Sequence, residues 1–255
     1  KAFKETNNKN FLIAAERGIK YLLVAQYKNG GWPQFYPDLG SYRHLITYND
    51  NAMINVLNVL YDLGKQINNF EVVDSKLIPK ANESVERGIQ CILETQIKVK
   101  GKLTAWCQQH DEITLQPAAA RKFELISLSG NETVGIIKFL MRIYNPSKKI
   151  VCAITNAVEW LNIVKISGFK YIDIDDATQP NGKDRVVVKD SGSTIWARFY
   201  EIETNKPFFC GRDGIKKNSV AEIEHERRVG YGWYSTAAKS LLEKDYPTWL
   251  KKNGK

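Results

Sequence analysis

An internal repeat constrains this chain more than any other feature. Glu16-Arg17-Gly18-Ile19-Lys20-Tyr21-Leu22-Leu23-Val24-Ala25-Gln26 returns seventy positions later as Glu86-Arg87-Gly88-Ile89-Gln90-Cys91-Ile92-Leu93-Glu94-Thr95-Gln96, with six identities. A weaker third copy lies around Val158-Glu159-Trp160-Leu161-Asn162-Ile163-Val164. Apolar residues recur at helical spacing in these stretches. The same pattern marks residues 51–61, 133–144 and 236–242. The order is therefore long helix, loop, long helix, repeated about three times. Such pairs cannot bury their apolar faces alone and must stack on one another. Closure into a ring would make an α/α toroid with loops lining a groove at one rim, and an open solenoid is the competing geometry. The expected fold class is all-α, with long functional loops and a few short strands. The only plausible strands are Arg185–Lys189 and Ile195–Tyr200.

Composition narrows the function classes. With 255 residues, 43% hydrophobic and 25% charged, the chain can bury a sizeable core, and residues 1–255 read as a single domain. No window approaches eighteen apolar residues, so no membrane-spanning helix and no membrane partner are expected. The chain opens at Lys1 without an initiator Met, which suggests a signal peptide or another module upstream. Cys91, Cys107, Cys152 and Cys210 are widely spaced and form no CxxC, so free cysteines are expected rather than a zinc site. The net charge of +9 suggests an anionic partner. Basic residues are spread along the chain without a zinc-finger or RRM signature, which argues against nucleic acid and leaves an acidic polysaccharide. A monomer is expected.

The loops hold the candidate chemistry. Trp32, Phe35, Tyr36, Tyr42, Tyr48, Trp106, Trp196, Tyr231 and Trp233 lie in or beside them. They either pack loops onto helix ends or form a sugar-binding wall. Tyr48-Asn49-Asp50-Asn51 sits where a loop becomes a helix. Asn49 or Asp50 can cap that helix, yet three oxygen-bearing side chains in a row exceed what a cap needs and suit calcium, though not in EF-hand spacing. Asp111 follows Gln108-Gln109-His110, and Arg121 opens Arg121-Lys122-Phe123-Glu124. Arg198 and Arg212 stand among aromatic and glycine residues, where arginine pairs bidentately with carboxylates. There is no GxSxG motif, P-loop or zincin spacing.

These segments carry a resemblance. Gly30-Gly31-Trp32-Pro33-Gln34-Phe35-Tyr36-Pro37, Ile46-Thr47-Tyr48-Asn49-Asp50-Asn51-Ala52-Met53 and Thr104-Ala105-Trp106-Cys107-Gln108-Gln109-His110-Asp111 are similar to the signature of polysaccharide lyase family 10 pectate lyases. So are Pro117-Ala118-Ala119-Ala120-Arg121-Lys122-Phe123-Glu124, Ser127-Leu128-Ser129-Gly130-Asn131-Glu132, Trp196-Ala197-Arg198-Phe199-Tyr200-Glu201 and Gly211-Arg212-Asp213-Gly214. The resemblance implies an (α/α)3 toroid and calcium-assisted β-elimination of α-1,4-linked polygalacturonate, giving 4,5-unsaturated oligogalacturonides. It also implies a secreted enzyme, extracellular or periplasmic. It assigns Asp50 to the metal and Asn51 to the substrate carboxylate. Arg121 resembles the catalytic base, with Asp111 close to it. Arg198 and Arg212 resemble the arginines that hold galacturonate carboxylates, and Trp32 and Tyr48 belong to the substrate-binding segments. Family members carry a further N-terminal helix before the segment matching Lys4-Glu5-Thr6, so the catalytic domain is expected to lack its first helix. Two other functions compete. An α/α-toroid glycoside hydrolase needs a carboxylate pair, for which Asp50 and Asp111 are the candidates. A non-catalytic acidic-polysaccharide-binding module would use only the aromatic rim.

Overall fold

A computed structural model of the protein describes residues 1–37 and 40–253. Its helices are α1 (Ala2–Thr6), α2 (Lys9–Val24), α3 (Ala52–Gly64), α4 (Ile78–Thr95), α5 (Gly130–Leu140), α6 (Lys148–Ile163), α7 (His225–Gly230), α8 (Ala237–Ser240) and α9 (Tyr246–Asn253). The strands are β1 (Ile46–Thr47), β2 (Lys98–Val99), β3 (Lys102–Leu103), β4 (Gln109–His110), β5 (Pro117–Ala118), β6 (Leu128–Ser129), β7 (Ile166–Asp175), β8 (Lys183–Ala197), β9 (Phe199–Tyr200), β10 (Pro207–Cys210), β11 (Lys216–Lys217) and β12 (Tyr234–Ser235).

The repeated motif forms helices in both copies, α2 and α4. Local chemistry supports each start: the Asn8 side chain accepts from the Asn10 N–H, and Pro79 sits in the first turn of α4, where its missing N–H costs nothing. Helices α3 to α6 bury their apolar stripes against one another, whereas α2 buries only Ile19. α3 packs on α4 and α5, and α5 packs on α6 and α8. Met53, Leu57, Leu60, Ile92, Ile137 and Ile154 lie fully buried in this core. Gly88 has a packing reason to be glycine: a Cβ there would stand 2.5 Å from Leu57 Cδ2. All four cysteines are free, and Cys91, Cys107 and Cys210 are buried.

The expected all-α (α/α)3 toroid is overturned. Helices account for only part of the chain, and several antiparallel sheets accompany them, so the architecture is mixed α/β. The sequence pattern underestimated residues 166–235. Arg185–Lys189 and Ile195–Ala197 are two stretches of one fifteen-residue strand, β8, which pairs along most of its length with the ten-residue β7. Branched and aromatic residues are frequent in both strands, as in Tyr171-Ile172 of β7 and Val186-Val187-Val188 of β8, which favours extended backbone. Its single irregularity falls between Ser167 and Phe169. A second cluster of buried aromatics, with Phe123, Phe199, Phe208, Phe209 and Trp233, packs where these strands meet the loops.

Three short sheets bring distant segments together. β4 runs antiparallel to both β1 and β5. β1 and β5 therefore point the same way, and the chain leaves both at one end: towards Asp50 after β1, towards Arg121 after β5. β6 pairs with β9, which sets the start of α5 beside Arg198. β12 pairs with the end of β8, which sets Tyr231 and Trp233 against the same arginine.

Candidate functional site

The loop-to-helix junction is strained. Asp50 (φ 52°) and Asn51 (φ 58°) are consecutive left-handed residues. Asp and Asn tolerate this region because their short side chains can bond locally; residues held there cost of order 1–3 kcal/mol each and cluster at functional sites. Capping does not explain them. Asn51 occupies the N-cap of α3, and neither helical turn at this junction has a side-chain cap. The Asp50 carboxylate is 75% exposed. The Asn51 Oδ1 is buried without a hydrogen-bond partner and turned against Gly135, where a Cβ would collide with it. The Tyr48 and Asn49 N–H groups both donate to the Gln108 carbonyl, at 2.8 and 3.1 Å, which locks the junction onto the second loop.

Arg198 is the buried hub below the junction. Its Nη2 donates to Asn49 Oδ1 at 2.7 Å and Glu132 Oε1 at 2.9 Å, and stands 3.5 Å from Asp50 Oδ1. With its amide oxygen towards the guanidinium, Gln108 accepts from Nε at 2.7 Å and Nη2 at 3.0 Å. The guanidinium lies 4.5 Å from the Tyr231 ring centroid. Burial alone disfavours the cation, but Glu132, Tyr231, Asp50 and Glu124 outweigh it and hold Arg198 charged, above its ordinary range. Glu132 is itself buried and also accepts from the Ser129 hydroxyl.

Arg121 also lies near the Tyr231 ring, 5.9 Å from its centroid and 4.8 Å from that of Phe123. Its Nε and Nη2 fork onto Glu124 Oε2 and Oε1 at 2.7 and 2.5 Å. The Tyr231 hydroxyl donates to Glu124 Oε1 at 2.8 Å. Bonding to Glu124 pushes the Arg121 pKa further up. Burial would raise the Glu124 carboxyl, yet its bonds from Arg121 and Tyr231 prevail and keep it below its ordinary value.

The remaining expected site residues fall elsewhere. Arg212 is exposed and paired with Glu226 at 2.8 Å, and Glu226 also accepts from Arg227. Bonds from Arg212 first and Arg227 second bring the Glu226 carboxyl down to about 2. Asp111 makes no hydrogen bond or ion pair with Arg121 among the described residues. Its Oδ1 accepts from the N–H groups of Ile113 and Thr114 and from the Thr114 hydroxyl, closing its own turn, and the carboxylate paired with Arg121 is Glu124. Trp32 and Tyr48 do not form a substrate wall. Trp32 is 2% exposed with Nε1 bonded to the Leu22 carbonyl, and Tyr48 is fully buried with its hydroxyl 2.7 Å from Thr95 Oγ1. Burial gains more for these large rings than exposure would. Tyr48→Phe is therefore expected to cost about 1 kcal/mol of stability and leave KM unchanged, as denaturant unfolding and kinetics would measure.

Glu124, Glu132 and Gln108 emerge from the structure as site residues that the sequence pattern left without roles, while Asn49 and Tyr231 take up contacts with Arg198 in place of the capping or sugar-facing roles expected of them. The Arg121-to-Glu124 spacing is the one local signal that could have identified a pair.

His110 has no acid–base role. It is buried, its Nδ1–H donates to the Leu115 carbonyl at 3.0 Å, and Nε2 accepts the Cys107 N–H at 3.2 Å. Burial lowers its pKa from 6.5 to about 4. Because the folded pKa lies below the unfolded one, the unfolded chain binds the extra proton between those values. Stability is whole above pH about 6.5 and declines towards pH 4, by about 2–3 kcal/mol from this residue. Urea unfolding at pH 7 and 4.5 should show a smaller decline in His110→Gln.

No group of three or more His, Cys, Asp or Glu side chains suited to a metal occurs among the described residues. Asp50 offers one outward carboxylate, so the junction fits a cation shared with an anionic ligand and not a closed protein cage.

Comparison with known proteins agrees with the motifs. The model of the pectic acid lyase family matches residues 1–242. A solved family 10 polysaccharide lyase from Cellvibrio cellulosa is 33% identical, with a TM-score of 0.88, over 99% of this chain and 76% of its own. An Asp-to-Ala mutant of that lyase, in complex with trigalacturonic acid, also matches at 33% identity and TM-score 0.88, over 99% of this chain and 77% of its own. A search of curated proteins gives no significant match. With the family model spanning nearly the whole chain, this protein belongs to the pectic acid lyase family.

Proposed function

We propose that the protein is a pectate lyase cleaving α-1,4-linked polygalacturonate by β-elimination. The observation that carries this reading is the cluster of guanidinium groups, Arg198, Arg121 and Arg227, around one Tyr231 ring, with the exposed Asp50 carboxylate 3.5 Å from Arg198. Such a site suits a polymer that carries a carboxylate on every sugar. The similar lyase structure with trigalacturonic acid supports the same substrate.

The chemistry starts at C5 of galacturonate. Arg121, in its neutral form, takes the C5 proton. The C4–O bond breaks, its electron pair leaves with the departing saccharide oxygen, which is then protonated, and a C4=C5 double bond remains. Negative charge develops on the adjacent carboxylate, where positive groups placed in advance stabilise it. Calcium, when bound, supplies positive charge there and would be held by Asp50 together with substrate carboxylates. Arg198 fixes Asn49 and Asp50 from below, and the exposed Arg212 can exchange Glu226 for a uronate carboxylate. The hydrolase alternative lacks its carboxylate pair, since Asp111 is committed to its own turn.

Residues 1–255 act in this reading as one catalytic domain, because Tyr234 packs against both buried clusters. A polymeric substrate is met outside the cytoplasm, which favours an exported protein. No helix among the described residues is long and apolar enough to cross a membrane.

The test is ultraviolet absorbance during incubation with polygalacturonate, with and without a chelator. Unsaturated products that vanish with the chelator support the reading; new reducing ends without absorbance would mean hydrolysis. A second outcome follows from charge. De-esterified polygalacturonate should be cleaved much faster than highly methylated pectin, because esterification removes the group that the arginines and cation recognise. Equal rates on the two would contradict the assignment.

A further inference from the structure

We propose that Glu124 is the positioning residue for Arg121: its buried carboxylate fixes the guanidinium for reaction and sets the pH at which that group can accept a proton. The proposal rests on the reading of Arg121 as base.

The geometry is unusually complete. The Glu124 side chain is 1% exposed, whereas that of Arg121 is 39% exposed. Both carboxylate oxygens are occupied. Oε2 takes Arg121 Nε at 2.7 Å and the Arg121 backbone N–H at 3.3 Å; Oε1 takes Nη2 at 2.5 Å and the Tyr231 hydroxyl at 2.8 Å. The backbone closes the same loop, with Glu124 N–H donating to the Arg121 carbonyl at 2.8 Å and Ala120 N–H donating to the Glu124 carbonyl at 3.0 Å. The fork uses Nε and Nη2 and leaves Nη1 outside it. The Phe123 and Tyr231 rings lie 4.8 and 5.9 Å from the guanidinium carbon. One rotamer of Arg121 is thereby selected before substrate arrives, as precise placement of a base demands.

The same contacts fix the charge. A carboxylate in a two-bonded fork favours the guanidinium over the neutral guanidine. The other groups facing this pair are the phenols of Tyr42 and Tyr231 and the guanidiniums of Arg198, Arg212 and Arg227. None supplies a second carboxylate fork to Arg121. Glu124 is thus the group whose charge most strongly opposes release of the Arg121 proton, and its removal should ease that release at the expense of placement.

The experiment compares wild type, Glu124→Gln, Glu124→Asp and Tyr231→Phe on polygalacturonate with calcium, across neutral to alkaline pH. Glu124→Gln should lower maximal kcat about tenfold with KM within about threefold, and move the alkaline rise in kcat about one unit to lower pH. Glu124→Asp keeps the charge and should keep the wild-type position of that rise while losing rate through misplacement. Tyr231→Phe keeps the ring and should shift the rise less than Glu124→Gln. Losses that track melting temperature in all three variants, with an unmoved pH profile, would overturn the proposal. A wild type that makes no unsaturated product would sink the lyase reading instead. Nitrogen-resolved NMR of arginine side chains then decides the positioning separately. The Arg121 Nε–H signal, assigned by its loss in Arg121→Lys, should be protected from exchange in wild type and unprotected in Glu124→Gln; equal exchange in both would refute the fork's role.

Discussion

Arg121→Lys should lower kcat on polygalacturonate by about a thousandfold at alkaline pH with calcium present, a typical loss for removal of a general base. Lysine keeps a positive charge but not the planar fork. It cannot bond both Glu124 oxygens through a planar fork as Arg121 does at 2.7 and 2.5 Å. The proton-accepting atom would be misplaced, and about 1 Å of misplacement can cost roughly a hundredfold by itself. The opposite result has a distinct signature. If Arg121 only binds a substrate carboxylate, lysine should retain much of kcat and chiefly raise KM. Near-wild-type kcat would remove Arg121 from the base role. Arg198 could not simply replace it, because that side chain is 9% exposed and already bonded to Asn49 and Glu132.

How much of this was legible in the sequence depended on whether a signal was local. The copies at Glu16–Gln26 and Glu86–Gln96 carry their helical period within a few turns, and both are helices. The β7–β8 hairpin was legible only in fragments. Asp190 and Gly192 fall where the register with β7 jumps from Lys189 to Thr194, and pairing on both sides of that break holds the long strand. Pairing of that kind is a tertiary fact, and it turned an expected all-α fold into a mixed one. Trp32 and Tyr48 show the same limit at the site. An aromatic in a glycine-rich loop has the same sequence signature whether it faces a sugar or the core, and here both are buried. Glu132 and Glu124 carry no local signal of burial in the sequence, yet both are buried. Their burial follows from β6 pairing with β9 and from Tyr231 arriving over a hundred positions later. Asp50 was conspicuous because a run of oxygen-bearing side chains before a helix exceeds what capping requires. The structure sharpens that signal into two successive left-handed residues.

Asp50→Asn provides the second large effect. Asparagine adopts the left-handed conformation as readily as aspartate and has the same shape, so the φ of 52° is kept without new strain. Alanine is the poorer choice, because it would add a backbone penalty to any loss of function. The carboxylate is 75% exposed and its nearest cation, Arg198, stands 3.5 Å away while remaining bonded to Glu132 and Asn49. Loss of the charge should therefore change stability by no more than about 1 kcal/mol. If Asp50 supplies the protein's charge to a shared calcium ion, activity should fall by about a hundred- to a thousandfold, and the calcium concentration for half-maximal rate should rise. If Asp50 serves only to shape the junction, the asparagine variant should melt and turn over like wild type, with unchanged calcium dependence. Thermal melting and calcium-titrated rates on one preparation separate the two. Normal calcium dependence with reduced kcat would leave Asp50 as a substrate contact and place the metal on the substrate carboxylates alone.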